Sequence, residues 1–302
     1  MGPKARYHPT MTEATETAVE RRLLSRMTRT VHEHALLAEG DKVMVCLSGG
    51  KDSYAMLHLL RQLRRHSPFK FELIAVHLDQ QQPGYDGAPL RRWLEASGVA
   101  FEILSEDTYS EVVARTKEGG TFCAACSRLR RGILYTAAAR LGVNKIALGH
   151  HREDTLETFL LNLLYTGKLQ AMPATYRTDD GRFEVIRPLI ECAEAELVTL
   201  AQELGFPILP CNLCGSQRDL KRESMGQLLT QLEALNPHVR QSMLGALSNV
   251  RATHLLDAEL SEAWSKRPET IPARAQAKAT AARFTALPVH SSIEVLLSPP
   301  ES

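Results

Sequence analysis

No apolar run in this chain approaches the ~20 residues that a membrane-spanning helix needs, so no membrane partner is expected. The opening stretch Met1–Thr17 is polar and lacks the apolar core of a secretory signal, which makes a cytoplasmic protein the expectation. Charge of one sign is missing as well: 36 Lys and Arg stand against 35 Asp and Glu, a net charge of +1. That balance excludes a globally basic nucleic-acid binder, and any such contact must use a local patch. No internal repeat is present. Cysteine is sparse, with six in 302 residues, yet four of the six form two C-x-x-C pairs, Cys123/Cys126 and Cys211/Cys214. In a cytoplasmic chain such pairs point to metal or redox chemistry rather than to structural disulfides. What remains is ordinary: 44% hydrophobic and 24% charged residues, as in soluble globular proteins, at a length suited to one large domain with additions or to two domains.

The stretch Lys42–Leu63 organises the rest. Lys42-Val-Met-Val-Cys-Leu47 is a short apolar run, and it ends in Ser48-Gly-Gly-Lys-Asp-Ser53. Met56, Leu59, Leu60 and Leu63 then recur at helical spacing. The pattern predicts strand, glycine loop, helix. Gly49 and Gly50 let the backbone turn sharply and present N–H groups to a ligand. The helix start adds unpaired N–H groups and the positive dipole end, which favour an anion. Ser48 and Ser53 contribute hydroxyl donors and Lys51 a cation, while Asp52 is a candidate to position Mg²⁺ or phosphate. The plainer alternative makes Asp52 or Ser53 an N-cap after an ordinary turn. The spacing does not fit a Walker A loop: that motif's first Gly would fall at Val45, and Lys51 is followed by Asp52.

Further along, Phe71–Asp79, Ala100–Leu104, Asn144–Gly149 and Phe183–Arg187 read as strands between amphipathic helices, preceded by a packing helix over Thr12–Leu37. Strands alternating with helices predict an α/β fold, a doubly wound, mostly parallel sheet with helical N- and C-terminal additions. Ligands of such sheets sit at the carboxyl ends of the strands, which makes Asp79 a candidate nucleotide neighbour or, equally, a turn cap. His150 is a candidate for phosphate or base contact. Asp154, three residues before Glu157, is a candidate catalytic group with an equal claim as a helix cap. The apolar residues Leu156, Phe159, Leu160, Leu163 and Leu164 are expected along that helix. After Cys214 the pattern turns to helices alone, about 223–235 and 238–257. The expected organisation is 1–40 tail and helix, 41–222 nucleotide-binding domain with the cysteines, 223–259 C-terminal helices, and 260–302 a mostly disordered tail.

Four cysteines could close a tetrahedral Zn site, and three could hold an iron–sulfur cluster with one iron open. Residue chemistry by itself leaves both standing. Cys46, alternating in an apolar strand, and Cys192 are expected as packing residues. Arg128, Arg130 and Arg131, directly after Cys126, form a basic cluster that no carboxylate interrupts, and Arg218, Lys221 and Arg222 follow the second pair. Both are candidate RNA contacts.

The loop Ser48–Ser53 resembles the Ser-Gly-Gly-x-Asp-Ser motif of the PP-loop ATP pyrophosphatases. With Cys123-x-x-Cys126, Gly149-His150-x-x-x-Asp154-x-x-Glu157 and Pro210-Cys-Asn-Leu-Cys214-Gly-Ser-Gln217, residues 15–257 resemble the tRNA 2-thiocytidine synthetases. The resemblance implies ATP as substrate, Mg²⁺, and thiolation of a cytidine in the tRNA anticodon loop by adenylation at C2–O followed by sulfur attack. It also implies a [4Fe–4S] cluster on Cys123, Cys126 and a third thiolate, and a cysteine desulfurase as sulfur source. Cys214 is preferred for the third thiolate because Gly215 frees the backbone beside it, with Cys211 as the alternative. Ser48, Gly49, Gly50, Lys51, Asp52, Ser53 and Asp79 become the expected nucleotide-binding residues, and Lys51, Asp52, His150 and Asp154 the expected catalytic ones. Two rivals are a Zn-bearing PP-loop ligase acting on another base or a carboxylate, and a non-catalytic RNA module. The sequence leaves the quaternary state open, a homodimer included.

Overall fold

The computed structural model describes residues 16–115, 122–209 and 220–266. The chain divides into two compact units, Met1–Ser248 and Asn249–Ser302. In the first, six strands form one sheet in the order β3-β2-β1-β4-β6-β5: β1 Lys42–Leu47, β2 Glu72–Asp79, β3 Ala100–Ser105, β4 Lys145–Ala147, β5 Thr175–Arg177 and β6 Glu184–Ile186. All pairings are parallel except β5 with β6, which is antiparallel. The helices of this unit are α1 Ala18–Glu33, α2 Lys51–His66, α3 Ala88–Ser97, α4 Thr108–Arg115, α5 Phe122–Leu141, α6 Arg152–Leu161, α7 Glu194–Glu203, α8 Leu220–Leu235 and α9 Val239–Leu247.

Because β1 is buried on both faces, its alternation sorts side chains between two cores rather than between core and water. Val43, Val45 and Leu47 join the larger core, with Leu23 and Met27 of α1, Met56, Leu59 and Leu60 of α2, Leu94 of α3 and Leu200 of α7. Met44 points the other way, to a smaller core with Val76, Ile146, Val185 and Ala138 of α5. A third cluster joins Leu156 and Leu160 of α6 to Met225 and Leu229 of α8. On α1, Arg22 and Arg29 pair with Glu196 and Glu191, consistent with a packing helix.

The expected doubly wound α/β sheet is present, with local differences. The N-terminal helix starts only at Ala18, where Thr17 caps it by accepting the Glu20 N–H at 3.1 Å. It stops before Leu37 because Ala35 adopts φ +49°. Two elements stand beyond those expected, the eight-residue α4 and the three-residue edge strand β5, both short. The helix expected over 238–257 ends at Leu247, and the α6 helix widens into one turn of π-helix, Asn162–Thr166. There Leu163 and Leu164, expected on the packed stripe, are exposed.

In the second unit a 3-10 turn, Ala252–His254, precedes α10, Ala258–Ser265, which Asp257 caps by accepting the Leu260 N–H at 2.9 Å. The expected tail therefore begins in helix up to Ser265, and its remainder from 267 lies outside the described residues. No helix among the described residues is long and apolar enough to cross a membrane.

Candidate active site

The loop between β1 and α2 stands at the carboxyl edge of the sheet, beside the ends of its two parallel neighbours. Gly49 has φ +85°, a left-handed conformation that suits glycine, and a Cβ there would meet the Leu209 side chain at 3.1 Å. Ser53 Oγ donates to the Gly50 carbonyl at 2.8 Å and accepts the Ser48 N–H at 3.2 Å, while Ser48 Oγ accepts the Gly50 N–H at 3.2 Å. The two serines thus fix the curvature of the loop from inside. No side chain caps α2, whose N-cap is Gly50, so the capping role offered for Asp52 or Ser53 is not the one they take.

Two other segments close on the loop. Gly149, just past β4, would place a Cβ 3.3 Å from the backbone of Asp52 and Ser53, so a larger residue would press the loop back by a few tenths of an ångström. From the opposite direction the Leu209 N–H donates to the Gly49 carbonyl at 2.9 Å. Tyr54, which donates its hydroxyl to the Pro207 carbonyl at 2.9 Å and packs against Trp93 and Phe206, holds that segment down. The residue that leads into the second cysteine pair is therefore anchored on the loop.

A charged network surrounds Lys51 and Asp52. Lys51 Nζ donates to Glu194 Oε1 at 2.8 Å and to Asp52 Oδ2 at 3.1 Å. Burial alone would lower its pKa, but the Glu194 hydrogen bond and the Asp52 charge outweigh burial and hold it above the ordinary lysine value. Burial pushes the Asp52 carboxyl above the usual range in spite of Lys51. Asp52 Oδ1 is buried without a hydrogen-bond partner, an acceptor free to meet a cation or a protonated ligand.

His151 lies among four carboxylates, 3.5 Å from Glu153 and Asp154, 3.9 Å from Glu194 and 4.0 Å from Asp52. Burial opposes its charge, but these partners prevail and its pKa is raised. Asp154 Oδ2 accepts the His151 N–H at 3.0 Å, so it caps α6 as the third residue of the helix, with His151 as N-cap, and not as the opening residue of a box with Glu157; its Oδ1 lies 3.8 Å from Arg222.

His150, next in sequence, is the opposite case. Arg187 Nε donates to its Nδ1 at 3.2 Å, so a neutral ring carries its proton on Nε2. Burial, then the Arg187 charge, push its pKa down to about 4.

A cavity of about 540 Å³ opens from the loop along the α5 side of the sheet. It is lined by Ser48, Asp52 and Ser53 of the loop and α2, by His150 and Asp154, and by Arg130 and Arg131 of α5. Of the expected nucleotide-binding and catalytic residues, Ser48, Asp52, Ser53, His150 and Asp154 line the cavity. Asp79 does not: its Oδ1 accepts the Gln81 N–H at 2.8 Å, making a turn in which Gln81 has φ +56°. Sequence reasoning missed His151, Glu194 and Arg187. The Gly149-His-His run hinted at the first, but Glu194 and Arg187 reach the site through tertiary packing.

Cys123 and Cys126 fall in the first turn of α5, three residues apart and so on one face. Cys126 Sγ lies 3.3 Å from Gln80 Oε1, at the end of β2, and the next residue, Ser127, lines the cavity. Thiolates are the soft donors that an iron–sulfur cluster takes, and Cys126 beside the cavity-lining Ser127 fits that donor set. Cys211, Cys214 and Arg218 lie outside the described residues. Cys46 is half-buried in the cavity wall, where burial pushes its thiol up to about 12; Cys192 is buried with a similar shift.

The PP-loop domain family matches residues 16–209. The chain is 51% identical over 242 residues to the tRNA-cytidine(32) 2-sulfurtransferase of Sorangium cellulosum, covering 80% of this chain and 86% of the relative. It is 48% identical over 270 residues to that of Bordetella avium, covering 87% of this chain and 86% of the relative. The chain belongs to the tRNA-cytidine(32) 2-sulfurtransferase family. Its fold is shared by the U34-tRNA thiolase NcsA from Methanococcus maripaludis, solved with its [4Fe–4S] cluster: TM-score 0.59, 23% identity, covering 78% of this chain and 80% of that one.

Proposed function

We propose that this protein is an ATP-dependent transferase that replaces the C2 oxygen of cytidine 32 in tRNA by sulfur. Two observations support the reading together: membership of the family, and one cavity bounded by both the phosphate-type loop and the turn after Cys126. Oxygen at C2 leaves poorly, and transfer of AMP onto it, with release of pyrophosphate, makes it a good leaving group. The loop N–H groups and Lys51 would carry the charge that develops on the phosphates. For Lys51 to do so it must let go of Glu194, which now shares it. Neutral His150 would offer its Nε2–H as a donor within the cavity. Mg²⁺, when bound, would add positive charge at the phosphates, and the unpartnered Asp52 Oδ1 is the acceptor suited to hold it. Cys123, Cys126 and one of Cys214 and Cys211 would hold a [4Fe–4S] cluster, which when bound supplies a soft-metal site able to carry sulfur. A cysteine desulfurase in the cytoplasm is the fitting sulfur source.

The test is anaerobic incubation of the brown holoprotein with ATP, tRNA and a desulfurase, followed by mass spectrometry of the tRNA nucleosides. The expected result is 2-thiocytidine together with tRNA-dependent AMP and pyrophosphate. Colourless protein that holds Zn, or AMP formation indifferent to tRNA, would overturn it.

A further inference from the structure

The apolar stripe of α6 outlasts the part of the helix that can bury it. Leu156 and Leu160 pack under α8, but in the π-helical turn that follows the side chains rotate outward. Leu164 is 56% exposed, Tyr165 54% and, two residues past Gly167, Leu169 66%. This ledge is held in place. Gly167 ends the helix at φ +66°, the Lys168 N–H donates to the Asn162 carbonyl at 3.1 Å, and Asn162 Nδ2 donates to the Gln170 carbonyl at 2.8 Å. A fixed, exposed apolar patch of this kind marks an interaction surface.

Charge indicates the partner. Residues 158–178 contain no Asp or Glu, and their charged members are Lys168 and Arg177. Lys221 of α8 places its Nζ 4.9 Å from the Tyr165 ring centre. At the far end of the segment Tyr176, with the Arg187 guanidinium 5.1 Å from its ring centre, lines the cavity. Exposed aromatics interleaved with cations, no carboxylate, and continuity with the site are what a single-stranded RNA loop requires: rings for unstacked bases, cations for phosphates. The ten residues of α6 set the ledge ~15 Å from the cavity, about the span of four stacked nucleotides at ~3.4 Å each.

We infer that the segment Leu163–Leu169 is a platform on which bases of the anticodon loop stack while the reacting cytidine enters the cavity. The inference rests on the transferase reading given above, but its test needs no turnover. Full-length protein is titrated into a fluorescent anticodon stem–loop RNA, and Kd is followed against salt. Tyr165→Ala should raise Kd about 5- to 100-fold without changing the salt slope, and Tyr165→Phe should bind as the parent does. Lys168→Ala should instead flatten the slope by about one unit. Leu169→Ser, at an exposed site, serves as an independent second variant and should also weaken binding.

Unchanged RNA affinity in Tyr165→Ala and Leu169→Ser overturns the platform. So does a dimer that Tyr165→Ala dissolves while RNA affinity stays the same, which would give the ledge to a second copy. Stem–loop binding that depends on Tyr165 without any 2-thiocytidine would retain the platform and reject the reaction. Thiolation whose tRNA KM ignores both substitutions would do the reverse.

Discussion

The two faces of the sheet solve different problems. On one, α1, α2, α3 and α7 bury a continuous set of side chains from Leu23 to Leu200. On the other, α5 covers the strands thinly, and beside its first turns the chain leaves a cavity of about 540 Å³ instead of core. β1 serves both at once: Val43 and Val45 anchor the packed face, while Met44 and Cys46 face α5. The lesson is one of division: rigidity is supplied from one side, so that space and charge can be left on the other.

Removing the Asp52 carboxylate from the open face should cost activity and leave stability alone. Asp52→Ala is expected to lower tRNA-dependent AMP formation about 10²- to 10³-fold, the scale of losing one charge-positioning group. Melting temperature and cluster colour should hold; bleaching would move Asp52 out of the nucleotide site. The packed face should behave in the opposite way. Leu60→Ala, at a fully buried position, should lower unfolding free energy by about 2–5 kcal/mol in urea titration with KM for ATP unchanged.

Acid should find the open face first. His150 is held neutral, with its pKa near 4 against an ordinary 6.5, so the unfolded chain binds this proton more readily. The stability it contributes is complete above about pH 6.5 and is lost as pH falls toward 4. His150→Gln should therefore lose less stability than the parent between pH 7 and 4.5; parallel urea midpoints would contradict this. The smallest effect is expected at the exposed Arg140–Glu102 pair, where Arg140→Ala should change stability by no more than about 1 kcal/mol. A larger loss would mean that α5 is held more firmly than its thin core suggests.

Much of this was legible in the residues. Strand, glycine loop and helix over Lys42–Leu63 follow from short-range sterics and apolar period, which act within a few residues and so can be read from them. The same holds for the parallel α/β class, and for a capping role of Asp154 though not for its place as the third residue of α6. The ledge is different: Leu163 and Leu164 continue the α6 pattern perfectly well, and only the π-turn, together with where α8 ends its contact, exposes them.

By itself the sequence determined the loop, the cysteine pairs and the class of fold, because each is a local matter of backbone freedom, ligand chemistry or periodicity. Tertiary structure alone decided that Glu194, 143 positions away, holds Lys51, and that Arg187 fixes the His150 tautomer while His151 beside it is drawn toward charge. Such partnerships depend on which strand ends the sheet order brings together, and charges separated by so much chain have no local pattern to announce them.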